Sequence, residues 1–173
     1  MTDTASESAG ERLLTFEVAD IVYALPIAEV LEVTESTRLT CIPTLPRRIG
    51  GVMNWHGEAI PVIASDLLLC PDGADDGIEA GSGSGSDEGS SGTEAEAEDG
   101  DRHVLVVSDR PEDSARMGLS VDRIHGLVNG PRRPAPTGSV VIERRPLDGR
   151  VVSVIDPQCL VNRAEEVIRR AAE

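Results

Sequence analysis

The sequence predicts a mainly β protein built of small barrels, with one helix at its C-terminus. Short apolar runs recur at close spacing with Gly, Pro or Asp turn signals between them, a pattern that favours small barrels over alternating strands and helices. Only the last residues, 156–172, carry an extended helical apolar period. Phe16, Tyr23 and Trp55 are the whole aromatic set, so the core must be made of Val, Ile, Leu and Ala.

Each element follows from local pattern. Residues 1–11, MTDTASESAGE, lack both a basic n-region and an apolar h-region; they are no signal peptide and are expected to be disordered, with the chain in the cytoplasm. Residues 13–18 alternate as a strand, Ala19-Asp20 is a turn, and residues 21–25 form a second strand. Pro26 suits the first turn of a helix, and Ile27, Val30 and Leu31 lie at helical spacing, so one amphipathic turn precedes a strand through Val33. The segment 42–63, IPTLPRRIGGVMNWHGEAIPVI, reads as a hairpin. Two prolines and a Gly-Gly pair precede one apolar strand, a four-residue turn (Asn54, Trp55, His56, Gly57) and a second strand ending at Ile63. Gly57 can supply the positive φ of a tight reversal.

Residues 71–101 hold 11 acidic residues, no basic ones and a single larger aliphatic, Ile78. Too little apolar area is available to offset backbone ordering, roughly 1–2 kcal/mol per residue, so the segment is expected to be a disordered acidic loop. After it, HVLVVSD is a good central strand. Residues 116–120 and 121–128 follow, then the RRPAP stretch, then strands at 140–142 and 151–155 joined by a turn at Asp148-Gly149. In the C-terminal helix Asp156 caps, Pro157 occupies the first turn, and Leu160, Val161, Ala164, Val167, Ile168 and Ala171 make one stripe. Glu165–Arg169 and Glu166–Arg170 are spaced as i,i+4 pairs.

Composition removes whole classes of function. A net charge of −15 with no basic patch excludes nucleic acid as the main partner, and no apolar run approaches the ~20 residues of a membrane span. All 16 basic residues are arginines. An acidic chain without lysine resembles proteins of salt-rich cytosols, where a Debye length of ~3 Å screens self-repulsion; a GC-rich genome is the plainer source of the same bias. Setting the loop's 11 acidic residues aside takes the net charge from −15 to −4, so most of the excess belongs to the loop.

Enzyme chemistry finds little support. Cys41, Cys70 and Cys159 are scattered as reduced structural thiols would be. With His56, His103 and His125 they give no zinc spacing, and no cofactor or metal is expected. A thiol–imidazole pair of Cys41 or Cys159 with His125 lacks any local nucleophile signature. GSGSGS at 81–86 has no flanking strand, helix or lysine and is not a phosphate loop. A small β-barrel enzyme using Cys41 or Asp66 remains the remote alternative.

The ordered series IPxxPxxIxGVxNxxGxxIPV, LLTFEVADIVYALPIAEVLEV, GLSVDRIHGLV and RRPAP resembles CheW-like domains, the scaffolds that couple chemoreceptors to the kinase CheA. The resemblance covers both segments flanking the acidic loop. It implies two SH3-like five-stranded β-barrels side by side in one domain, residues 12–173. Lobe one would comprise about 12–70 plus the C-terminal helix, 157–172, and lobe two about 103–155. It also implies a non-catalytic chemotaxis adaptor. Positions matching Leu14, Ile27, Val30 and Val33, with Glu32 beside them, would dock the regulatory domain of a CheA-type histidine kinase. The tip Asn54, Trp55, His56 and Gly57, with Val121 of the V-D pair, would meet the cytoplasmic tip of a methyl-accepting chemoreceptor.

The chain departs from the family in three places. The tip, usually N-L-R-G, has Trp55 for leucine and His56 for arginine, so an imidazole stands where a guanidinium fork usually does. Ala64 replaces the usual Asp. Residues 137–149 are shorter than usual and the acidic loop is longer. The alternative implied is a CheW-like paralogue whose receptor binding is altered or lost and which serves another sensory complex.

Overall fold

A computed structural model describes residues 10–35, 39–41, 43, 50–69, 103–109 and 115–172. The acidic loop, Cys70 and residues 1–9 lie outside the described residues. The elements run β1 Glu11–Val18, β2 Ile21–Pro26, a 3-10 turn Ile27–Glu29, β3 Val30–Glu35, β4 Gly50–Trp55, β5 Glu58–Ile63 and α1 Ser65–Leu69. They continue with β6 His103–Val107, β7 Met117–Val121, β8 Arg123–Gly130, β9 Val141–Leu147, β10 Arg150–Ile155 and α2 Pro157–Ala172. The mainly β reading, with two five-stranded sheets and a C-terminal helix, is what forms.

Turn chemistry placed the hairpins well. Ala19 and Asp20 have φ of 48° and 63°, and Asp148 and Gly149 have 49° and 75°. Positive φ at both central residues matches the twist of the flanking strands, so two-residue reversals suffice. Strand β1 begins at Glu11, inside the stretch expected to be disordered, because Glu11 pairs with Gly130 of β8.

The lobes do not divide along the sequence as expected. One sheet has the order β8-β1-β2-β10-β9, the other β3-β6-β7-β5-β4. The first hairpin therefore joins the C-terminal strands: β1 runs antiparallel to β8, and β2 parallel to β10. Residues 30–63 complete their sheet with β6 and β7 instead. The chain crosses between sheets twice. The 3-10 turn Ile27–Glu29 carries it out, and Asp122, the single residue between β7 and β8, carries it back. Asp122 is tied down there: its N–H donates to the Glu17 carbonyl (2.9 Å), and its carboxylate accepts from the Ala19 N–H (2.8 Å).

Three apolar clusters explain why so many strands are apolar on both faces. Leu13, Ala24 and Val152 fill the first barrel; Met53, Ile60, Val62, Val104 and Val106 fill the second. The largest cluster lies between the sheets and draws on both, from Leu14, Phe16 and Tyr23 to Leu105, Leu119 and Ile155. Alternation sends Val104 and Val106 into the second barrel while Leu105 and Val107 face the shared cluster. A strand buried on both faces reads as a continuous apolar run, which is why HVLVV stood out.

Helix α2 lays Leu160, Val161 and Ala164 on the shared cluster, flanked by Val167, Ile168 and Ala171. It therefore belongs to both lobes. Asp156 caps it by accepting from the Cys159 N–H (2.9 Å). Of the two expected helical pairs, Glu166–Arg170 forms at 2.7 Å, whereas Glu165 approaches Arg116, ahead of β7, at 3.6 Å.

Candidate functional site

Strands β4 and β5 pair in register from Gly50↔Ile63 to Trp55↔Glu58, so the reversal is two residues long. Asn54 and Trp55, expected in the turn, end β4. His56 and Gly57 make the turn with φ of 48° and 92°. Asn54 accepts from the Gly57 N–H through its side-chain oxygen at 2.8 Å, holding the turn closed. A histidine in left-handed backbone costs roughly 1–2 kcal/mol, and it points the imidazole across the sheet toward β3.

Glu32 receives it. Its Oε2 accepts from Trp55 Nε1 at 2.8 Å and lies 2.9 Å from His56 Nε2. An ionised carboxylate only accepts, so Nε2 carries the proton in this contact. The Trp55 ring packs on the second barrel's cluster with its N–H turned outward, and the His56 ring meets it edge-on, centroids 4.9 Å apart. His56 stays 70% exposed and Glu32 40%. The tip is an aromatic–imidazole pair clamped by one carboxylate and open to solvent.

A bulge in β3 aims Glu32 at the tip. Pairing with β6 shifts between Val30 and Glu32, leaving Leu31 without an opposite residue. A bulge of this kind puts neighbouring residues on one face: Leu31 packs on the second barrel's cluster, and Glu32 stands beside it, opposite Val106. Val30 and Val33 then share the other face, opposite Val107 and Leu105.

The structure sorts the expected site residues. Ile27 and Val30 are half-buried against the shared cluster, and Val33 is 43% exposed. Those three leave an apolar surface at the start of β3. Leu14 (5% exposed) and Val121 (1%) do not belong to any surface, since alternation turns both into the shared core. Glu32, assigned to the kinase face, is instead bound to the tip. It is the residue that joins the two expected faces, and the sequence offered only one hint, a lone carboxylate in an apolar strand.

The enzyme residues are not brought together. His125 meets Glu17 at 3.0 Å and Arg150 at 3.3 Å. Cys159 lies at the start of α2, where burial, then the Asp156 charge, pushes its thiol upward and away from the reactive thiolate. Cys41 and Asp66 are exposed. Among the described residues no three His, Cys, Asp or Glu side chains are grouped to hold a metal ion, and no helix is long and apolar enough to cross a membrane.

The clamp has a pH signature. Hydrogen bonds from His56 and then Trp55 hold the Glu32 carboxyl below its ordinary 4.5. A lowered carboxyl lends stability above its unfolded value and loses it as pH falls through the folded one. Acidification below 4.5 should therefore release Trp55, shifting its fluorescence. The Glu32→Gln variant should lack that step; an identical titration in the variant would mean that the carboxylate does not hold the ring.

Comparison with known proteins agrees with this architecture. The family model for the CheW-like domain matches residues 12–165. The scaffolding protein TtCheW from Thermoanaerobacter tengcongensis is a structural neighbour with a TM-score of 0.56 and 21% sequence identity, covering 84% of this chain and 88% of that one. With the family model spanning both sheets and most of α2, the chain belongs to the CheW-like domain family.

Proposed function

We propose that the protein is a non-catalytic adaptor that couples a chemoreceptor to a CheA-type histidine kinase. The family match over residues 12–165 carries this reading, and the geometry supports a division of labour. Ile27, Val30 and Val33 offer an apolar face for the kinase's regulatory domain; Leu14 lies beneath it and supports it from the core. The tip, Asn54, Trp55, His56 and Gly57 with Glu32, offers an aromatic anchor and a polarised imidazole for the receptor's helical hairpin. A half-buried tryptophan with a fixed N–H suits such an anchor. Binding both partners at once raises the local concentration of each for the other.

A pull-down of the purified chain on a CheA-type regulatory domain tests the kinase arm. Binding should survive molar salt, which screens charge but strengthens apolar burial. The double variant Ile27→Asp, Val30→Asp should weaken it at least ~100-fold, since two carboxylates would be buried without partners. Undiminished binding by a variant shown to be folded would place the kinase elsewhere.

His56 favours a second reading, a paralogue with altered receptor choice. Where an arginine fork offers several donors, this imidazole spends its Nε2 on Glu32. A His56→Arg variant that gains chemoreceptor binding, when the native chain has none, would select it.

A further inference from the structure

A groove of about 460 Å³ lies where the 3-10 turn Ile27–Glu29, the end of β6, the linker after β8 and the start of α2 converge. We infer that it binds the zwitterionic head of a free α-amino acid. Neither face assigned to the adaptor reading uses it, and the inference does not rest on that reading.

Arg133 is fixed on three sides. Its backbone N–H donates to Glu11 Oε2 at 3.0 Å, its Nε lies 3.5 Å from Glu11 Oε1, and its Nη2 donates to Glu29 Oε1 at 2.8 Å. The Arg133–Glu29 contact is therefore made through one arm of each group. The other arms, Arg133 Nη1 and Glu29 Oε2, are buried and have no hydrogen-bond partner among the described residues. The Glu29 side chain is only 8% exposed. Asp109 Oδ1 is buried and unmatched as well, its nearest cation being Arg116 Nε at 3.4 Å, too poorly aligned to bond. Ser108 N–H donates to the Glu29 carbonyl at 2.9 Å, which places Asp109 beside the turn.

Leaving such groups unmatched is costly, and natural structures rarely do so without a reason. Two carboxylate oxygens call for N–H donors bearing positive charge; one guanidinium nitrogen calls for an anionic oxygen. A simple cation would leave Arg133 Nη1 unmatched, and a simple anion would face Glu29 and Asp109. An α-ammonium with its own carboxylate two bonds away satisfies both. The wall of Pro134, Ala135 and Pro136 is apolar, so an aliphatic side chain fits better than a charged one. The volume lies within the usual range for small-molecule sites.

The test is an amide-resolved NMR titration of the full chain with valine, glutamate, N-acetylvaline and valine methyl ester, each to ~10 mM. Valine should perturb the amides of Ser108, Asp109, Arg133 and Gln158, with glutamate weaker and both blocked forms at least ~tenfold weaker, since each lacks one charge. The isosteric Glu29→Gln variant keeps an oxygen for Arg133 and should weaken valine by a similar factor, with its melting curve reporting that it is folded. Three outcomes overturn the inference: no perturbation by any free amino acid, blocked forms that bind as well as valine, or valine binding that folded Glu29→Gln leaves unchanged. None of these depends on a kinase or receptor being present.

Discussion

Replacing Phe16 by alanine should lower stability by about 3–5 kcal/mol, and the loss should appear in both sheets at once. Phe16 is fully buried and lies in the cluster between the sheets, stacked on Tyr23 with centroids 6.0 Å apart. With ordinary domains stable by only about 5–15 kcal/mol, one such cavity removes a large share of the total. The sole tryptophan, Trp55, sits in the other sheet, on a different cluster. Urea unfolding followed by Trp55 fluorescence and by far-UV circular dichroism should therefore shift by the same amount with both probes. If the two barrels were independent, Phe16→Ala would leave the fluorescence transition in place. The shared cluster, the exchange of β1–β2 between halves of the sequence, and α2 lying across both argue for one cooperative unit.

That exchange is the part of the fold least visible in sequence. Turn residues and apolar runs identify β1, β2, β9 and β10 almost to the residue, because Ala19-Asp20 and Asp148-Gly149 act locally. Which strands pair is a long-range matter. Strands β1 and β6 are apolar on both faces, so periodicity assigns them no preferred partner. The short helix α1 was missed because five residues cannot show a helical period. In the site, the hairpin and its tip were legible, while the burial of Leu14 and Val121 was not, for alternation tells which residues share a face but not which face is covered. Glu32 was misplaced for a similar reason: the bulge at Leu31 reverses the alternation after it, and nothing in VLEVTE announces a bulge.

The Gly-Gly pair that opens the hairpin gives the second large effect. Gly50→Ala should destabilise the protein by on the order of 3 kcal/mol or more. Its φ is +127°, and a Cβ built there would lie 1.9 Å from the Val62 carbonyl oxygen, on the backbone of the partner strand. No side-chain rotation relieves that contact, so β4 must move off β5. The tip depends on the same ladder, since Trp55 and His56 reach Glu32 only while β4 keeps its register. Gly57→Ala is the contrast. Its φ of +92° is unfavourable, but a Cβ there meets nothing within 4 Å, so the cost should stay near the ~1–2 kcal/mol of left-handed backbone alone. Urea unfolding of the two variants should separate them clearly, with Gly50→Ala also losing the acid fluorescence step of the Glu32 clamp while Gly57→Ala keeps it. Equal destabilisation would mean that the close approach of β4 to β5 is not what the first glycine is for, and that the tip is held by its turn rather than by the sheet beneath it.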